Sequence, residues 1–263
     1  MRALVDRVDR VLLQSEAQKL TAAERSRKAR LDQQSIRAYG IEMEYNAQEA
    51  TYMTQPDEGA PRNDYLHALL TRENTGLIID AYACVGSDAI AFMKTFPRSR
   101  VHAVQIQNTE ETGIRFRRLV TNLRNYKATH TIANDVFQPH GCSAREYVER
   151  RLPGIAPTHD TPIALLYLDP PWYGPDGVPY SPSGLVHMIN NDMLAPMASQ
   201  NRKPQVICFK VPAEFTSDVM QPHLDTCELF AMQGYTWNHS IPVTHAGKSH
   251  PAYNFHIYTP SAQ

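Results

Sequence analysis

A carboxylate, two prolines and an indole follow one another at Asp169-Pro170-Pro171-Trp172, directly after the apolar run Ile163 to Leu168. The run reads as a buried strand, so these residues stand at a strand's C-terminal edge. Their types suit chemistry on an exocyclic aromatic amine. The lone pair of such an amine is delocalised into its ring, and attack needs acceptors that draw the N–H bonds out of plane. Asp169 and the carbonyl of Pro170 are candidate acceptors. Proline fixes φ and removes a donor, which stiffens the frame, and Trp172 offers a face on which a base can stack. Asp169, Pro170 and Trp172 are therefore the candidate catalytic residues, and Tyr173 and Tyr180 flank them as candidate walls of a base pocket. A plain proline turn with a core tryptophan would use the same residues, so the rest of the chain has to decide.

Strands and helices alternate around this stretch. Leu77–Tyr82, Val101–Ile106, Thr129–Ala133, Ile163–Leu168 and Gln205–Val211 read as strands. Ser87–Thr95, Glu110–Leu123, Ser143–Leu152 and Leu185–Ala198 read as helices. This rhythm argues for an α/β fold with a doubly wound, mostly parallel sheet. Cys227–Tyr235 and Tyr253–Tyr258 are expected to be an antiparallel hairpin closing the sheet. Ahead of the domain, residues 1–64 read as a helical, basic extension and connector. Val5, Val8, Leu12 and Leu13 form a helical stripe, followed by Arg25, Arg27, Lys28 and Arg30, and the first forty residues carry a net charge of roughly +4. The extension is a solvated helical face or an arm for RNA phosphates. Pro56, Gly59 and Pro61 predict an irregular connector, with a helix around Tyr65 to Leu70 opening the domain of residues 65–263.

Composition narrows the class. With 263 residues, the chain is long enough for one α/β domain plus an appendage. A net charge of -1 gives no global case for nucleic-acid binding, so such binding would rest on local patches. Arg115, Arg117, Arg118, Arg124 and Lys127 are one candidate patch. Cys84, Cys142, Cys208 and Cys227 form no C-x-x-C pair, and His239, His245 and His250 lack a helical metal spacing. Neither a metal site nor a disulfide framework is expected, which fits a reducing, intracellular compartment. No window approaches a membrane span.

In a doubly wound sheet, ligands lie beyond the C-terminal ends of the strands. The first such end runs Asp80-Ala81-Tyr82-Ala83-Cys84-Val85-Gly86-Ser87-Asp88 into a helix. It lacks both the G-x-G-x-x-G fingerprint and a P-loop lysine, which disfavours dinucleotides and nucleoside triphosphates. Asp80 suits a cationic group, and Gly86 a close backbone approach. Gln105 or Gln107 after the second strand could face a ribose, and Asp135 after the third an adenine amino group. This order matches S-adenosylmethionine. The candidate cofactor residues are Asp80, Tyr82, Cys84, Gly86, Gln105, Asp135 and Asp169.

The chain from about residue 50 to 260 resembles the trimethylguanosine synthases. Asp80 to Phe92 looks like their D-A-F-C-G-V-G-G-N-T-I-Q-F, and Asp169-Pro170-Pro171-Trp172-Tyr173-Gly174-Pro175 is similar to S-P-P-W-G-G-P. Gln55-Pro56-Asp57-Glu58-Gly59 weakly resembles F-D-E-G. The resemblance implies a Rossmann-like, seven-stranded methyltransferase fold and methyl transfer to guanine N2 of a 7-methylguanosine RNA cap, with Trp172 stacked on the cationic ring. The expected setting is cytoplasmic or nuclear, and the host-cell cytoplasm for a viral member. The departures are those of a divergent member, such as a viral one. Cys84 and Ser87 replace glycines, Gln105 replaces a ribose-binding aspartate, and Asp169 stands for serine. Phe209 to Glu214 lacks the arginine of F-L-P-R-N, leaving Lys210 as the candidate substrate contact. Adenine-N6 or other amino-directed methylation is the alternative chemistry. A catalytically silent cap- or RNA-binding subunit is the non-enzymatic one.

Overall fold

The computed structural model describes residues 21–70, 76–132, 135–156, 162–174, 176–245 and 248–261. Strands β1 (Leu77–Asp80), β2 (Arg100–Val104), β3 (Phe137–His140), β4 (Ile163–Leu168), β5 (Pro204–Pro212), β6 (Tyr235–Val243) and β7 (Tyr253–Pro260) form one sheet in the order β3-β2-β1-β4-β5-β7-β6. Strands β1 to β5 pair in parallel, and β7 runs antiparallel to both β5 and β6. The described helices are α1 (Ala22–Tyr39), α2 (Glu49–Tyr52), α3 (Pro56–Leu69), α4 (Ser87–Thr95), α5 (Glu110–His130), α6 (144–155), α7 (182–199), α8 (Ser217–Leu224) and α9 (Glu228–Gln233). The expected Rossmann-like, mostly parallel seven-stranded α/β fold is the one observed.

Two-residue periodicity divides the core. Ile78, Tyr167 and Cys208 pack on one face with residues of α1, α3, α4 and α5, whereas Ile79, Leu166, Leu168, Ile207 and Phe209 pack on the other with α6 to α9. Successive strand side chains point to opposite faces, and both faces are covered, which is why these strands read as continuous apolar runs.

Several elements depart from expectation. The strand expected at Thr129–Ala133 does not begin there, because α5 continues through Thr129 to His130 with Tyr126 buried and ends in the left-handed Thr131; the third strand is Phe137–His140. Its Pro139 is tolerated because β3 is an edge strand. The strand expected at Cys227–Tyr235 is mostly α9, and the chain enters β6 only at Tyr235 through the left-handed Gly234. Helix α8 was not foreseen. The connector expected before Tyr65 is already helical from Pro56, so the boundary drawn at residue 64 falls within α3. Pro56 sits in the first turn, where its missing N–H costs nothing, and Gln55 and Glu58 close a capping box. The stripe Val5 to Leu13 lies outside the described residues.

The segment before β1 is knitted into the domain. Arg62 of α3 is fully buried with Nη1 2.6 Å from Asp88 Oδ1, and its guanidinium lies 4.7–4.8 Å from the ring centroids of Phe92, Tyr167 and Phe255. Thr54 and Tyr167 donate to Asp88 Oδ2 at 2.9 and 3.2 Å. A buried ion pair persists only where its remaining hydrogen-bonding capacity is met, and here hydroxyls and aromatic faces meet it.

Candidate active site

Asp80 and Tyr167 are register partners across β1 and β4, and Ala81 donates its N–H to Tyr167 O at 3.0 Å. The Cys84 loop and the Asp169 motif therefore leave the sheet side by side, where the strand order reverses. They wall a cavity of about 720 Å3, a size suited to a small organic ligand. Ala81, Tyr82, Cys84, Val104, Gln105 and Ser143 line its β1–β2–β3 side, and Asp169, Trp172, Lys210 and Tyr253 its β4–β5 side.

On the β4–β5 side, Lys210 Nζ donates to Asp169 Oδ2 at 2.8 Å and to Tyr52 O at 2.9 Å. Burial pushes the Asp169 carboxyl up while the Lys210 ammonium pulls it back, leaving it at about 6. The indole N–H of half-buried Trp172 donates to Lys210 O at 3.3 Å, and its ring lies 6.2 Å from that of Tyr253 at a tilt of 53°. Tyr180 N donates to Trp172 O at 3.0 Å and Gly174 N to Val178 O at 2.8 Å, which folds the chain after the motif into a small hairpin. Tyr173 is exposed on it. Lys210 is thus a buried partner of Asp169 that also lines the cavity.

On the other side, the Gln105 side chain accepts from Cys84 N at 2.9 Å and donates to Ile106 O at 3.2 Å. One lone pair and one N–H of the amide remain, so it can hold its loop and still meet a hydroxyl. Cys84 is left-handed at φ 50° and its thiol is pushed up to about 12 by burial, so it stays protonated. Tyr82 donates to Asp192 at 3.4 Å on the cavity wall. Asp80, next to the cavity-lining Ala81, does not itself line the cavity, and both its carboxylate oxygens are buried and unpartnered. Burial and the nearby Asp88 and Asp169 hold its carboxyl well above the usual range.

Two expected contacts are corrected. Asp135 is exposed in the turn before β3, so it lies at the opposite end of the parallel sheet from the cavity and cannot receive an adenine there. Gly86 does not line the cavity; its φ is 94°, and a Cβ there would stand 2.7 Å from Leu119 Cδ1, so the glycine serves helix packing. Of the arginines on α5, Arg115 and Arg118 pair with Glu49 at 3.6 and 2.7 Å, and Arg115 also lines the cavity. Two of the tail histidines take different roles. His239 stacks on Tyr65, while His245 lines the cavity with Nδ1 donating to Glu58 at 2.6 Å. Sequence reasoning missed this Glu58–His245 contact because 187 residues separate the partners. Nothing in the local pattern marks it.

The residues fit S-adenosylmethionine. Asp80 is an orphaned acid at the start of the loop, suited to a cationic group, and Gln105 retains capacity for a hydroxyl. The space between Val104, Ile106 and Ala144 suits a flat ring. No family model matches the chain, and no curated protein does. Solved structures do. The human methyltransferase 10 domain containing protein superposes with a TM-score of 0.60 at 8% identity, over 91% of this chain and 98% of that one. The N-terminal domain of human METTL16 in complex with SAH gives 0.59 at 10%, over 91% and 83%. The human METTL16 catalytic domain in complex with the MAT2A 3′UTR hairpin 6 gives 0.58 at 6%, over 91% and 82%. At these identities the likeness concerns architecture, and the chain has the fold of the methyltransferase domains.

Proposed function

We propose that this chain is an S-adenosylmethionine-dependent methyltransferase acting on the exocyclic amine of a nucleobase in RNA. The observation that carries the reading is the placement of Asp169 and Trp172 against the Cys84–Gln105 loop around one cavity, with orphaned Asp80 next to the cavity-lining Ala81. The bound donor supplies an electrophilic methyl group. Asp80 would meet its ammonium and Gln105 a ribose hydroxyl.

Asp169 Oδ1, the oxygen Lys210 leaves free, accepts an N–H of the amine and turns the nitrogen lone pair out of conjugation. The Pro170 carbonyl is the second acceptor, and Trp172 holds the ring. Holding nucleophile and electrophile in line supplies most of the acceleration. The N–C bond would form as the donor's S–CH3 bond breaks to leave a thioether, and the nitrogen would then pass its proton to the Asp169 carboxylate or to solvent, so no strong base is needed beforehand. The human METTL16 domain solved with an RNA hairpin supports RNA as the acceptor.

The W-Y-G-P continuation after Pro171 supports guanine N2 of a 7-methylguanosine cap. The ammonium of Lys210 beside Trp172 and Tyr253 favours an uncharged base, such as adenine or unmethylated guanine. Labelled donor would be incubated with a 7-methylguanosine cap analogue, a plain guanosine cap and uncapped RNA, and the methylated nucleosides separated. Label on N2 of guanine or N6 of adenine is expected. Label on ribose or on a ring carbon would sink the reading.

A further inference from the structure

Lys210 is a buried cation in the acceptor half of the cavity. Its side chain is 3% exposed, and two of its three ammonium hydrogens are committed to Asp169 and Tyr52 O. Its Nζ lies 4.9 Å from the ring centroid of Tyr253 and 5.9 Å from that of Trp172. The π-faces available to a bound base are therefore already polarised by a protein cation. A cationic ring stacked there would gain little further cation–π attraction and would face a like charge in a wall of low dielectric. Two acids stand beside that wall, and both are engaged: Asp169 is paired with Lys210, and Glu58 accepts from the Tyr253 hydroxyl at 3.0 Å and from His245 at 2.6 Å. Asp192, also on the cavity wall, receives the hydroxyl of Tyr82 at 3.4 Å.

We propose that Lys210 sets the charge of the acceptor ring, so that the site takes nucleobases with an uncharged ring and gives no advantage to a ring-cationic base such as 7-methylguanine. This rests on the reading of the cavity as a nucleobase site, and binding tests it separately from turnover. The chain has two tryptophans, and Trp237 is exposed on β6, so Trp237→Phe leaves Trp172 as the sole tryptophan, excited selectively at the red edge of its absorption. In that background, quenching would be titrated with AMP, GMP and 7-methyl-GMP.

The expected result is that GMP and AMP bind at least as tightly as 7-methyl-GMP. Lys210→Met should shift the 7-methyl-GMP to GMP affinity ratio about tenfold towards the cationic base, and Lys210→Arg should keep the parent ratio. The proposal is overturned by a parent preference for 7-methyl-GMP of about tenfold or more, by an unchanged ratio in Lys210→Met, or by no binding of any nucleotide. The parent ratio requires no variant at position 210 to fold. Selective binding without methyl transfer to any RNA would overturn the enzymatic reading and leave the charge selection standing.

Discussion

Gln105 Oε1 accepts the backbone N–H of Cys84 at 2.9 Å, and Cys84 is held at a φ of 50°. The amide expected to face a ribose thus also pins a loop whose central residue occupies the left-handed region, which disfavours side chains. This explains why a glycine would suit position 84 and how a cysteine is accommodated.

Two outcomes follow for that loop. Cys84→Gly relieves the left-handed strain and should raise stability by about 1 kcal/mol, read by urea denaturation. Gln105→Ala releases the loop and should weaken donor binding by about tenfold, measured calorimetrically, with acceptor KM unchanged. An unchanged donor affinity would separate the amide from the cofactor half.

The Asp169 carboxyl sits at about 6 because burial outweighs the Lys210 ammonium. Only the ionised form accepts two N–H bonds, so kcat/KM should rise with pH through that value, and Asp169→Asn should abolish this limb. The stability contribution has the opposite sense. The folded pKa lies above the unfolded 3.8, so this group favours the folded state below that pH and loses the contribution as pH approaches about 6.

Asp169→Ala should cut turnover by about a hundredfold or more while leaving donor affinity within about threefold. Single-turnover transfer and calorimetry on the same preparation provide the comparison. Parallel losses in both would place Asp169 in donor binding instead.

The Arg62–Asp88 pair offers a test of the architecture. Asp88→Asn leaves the fully buried Arg62 guanidinium without its ionic partner and should cost about 3–5 kcal/mol. The double variant Arg62→Met, Asp88→Asn should recover part of that loss, because no unpaired charge remains. Additive losses would show that the two do not act as a unit.

The strands around the site were legible because each side of the parallel sheet is covered, giving Ile163–Leu168 its unbroken apolar character. Position β3 was misread because α5 runs past its apolar stripe and the true strand, Phe137–His140, carries a proline that only an edge tolerates. The Cys227–Tyr235 segment was misread for a related reason: six residues of helix and a left-handed glycine precede the strand.

The sequence by itself determined that a carboxylate, two prolines and an indole stand at a strand end, because an apolar run broken by prolines is legible locally. Only the tertiary structure decided the partners. Lys210 meets Asp169 across 41 residues, and His245 meets Glu58 across 187. It also separated Asp135 from the cavity and turned Gly86 into a packing residue. Charge pairing and burial depend on which chain segments the sheet order brings together, and that information is not local in the sequence.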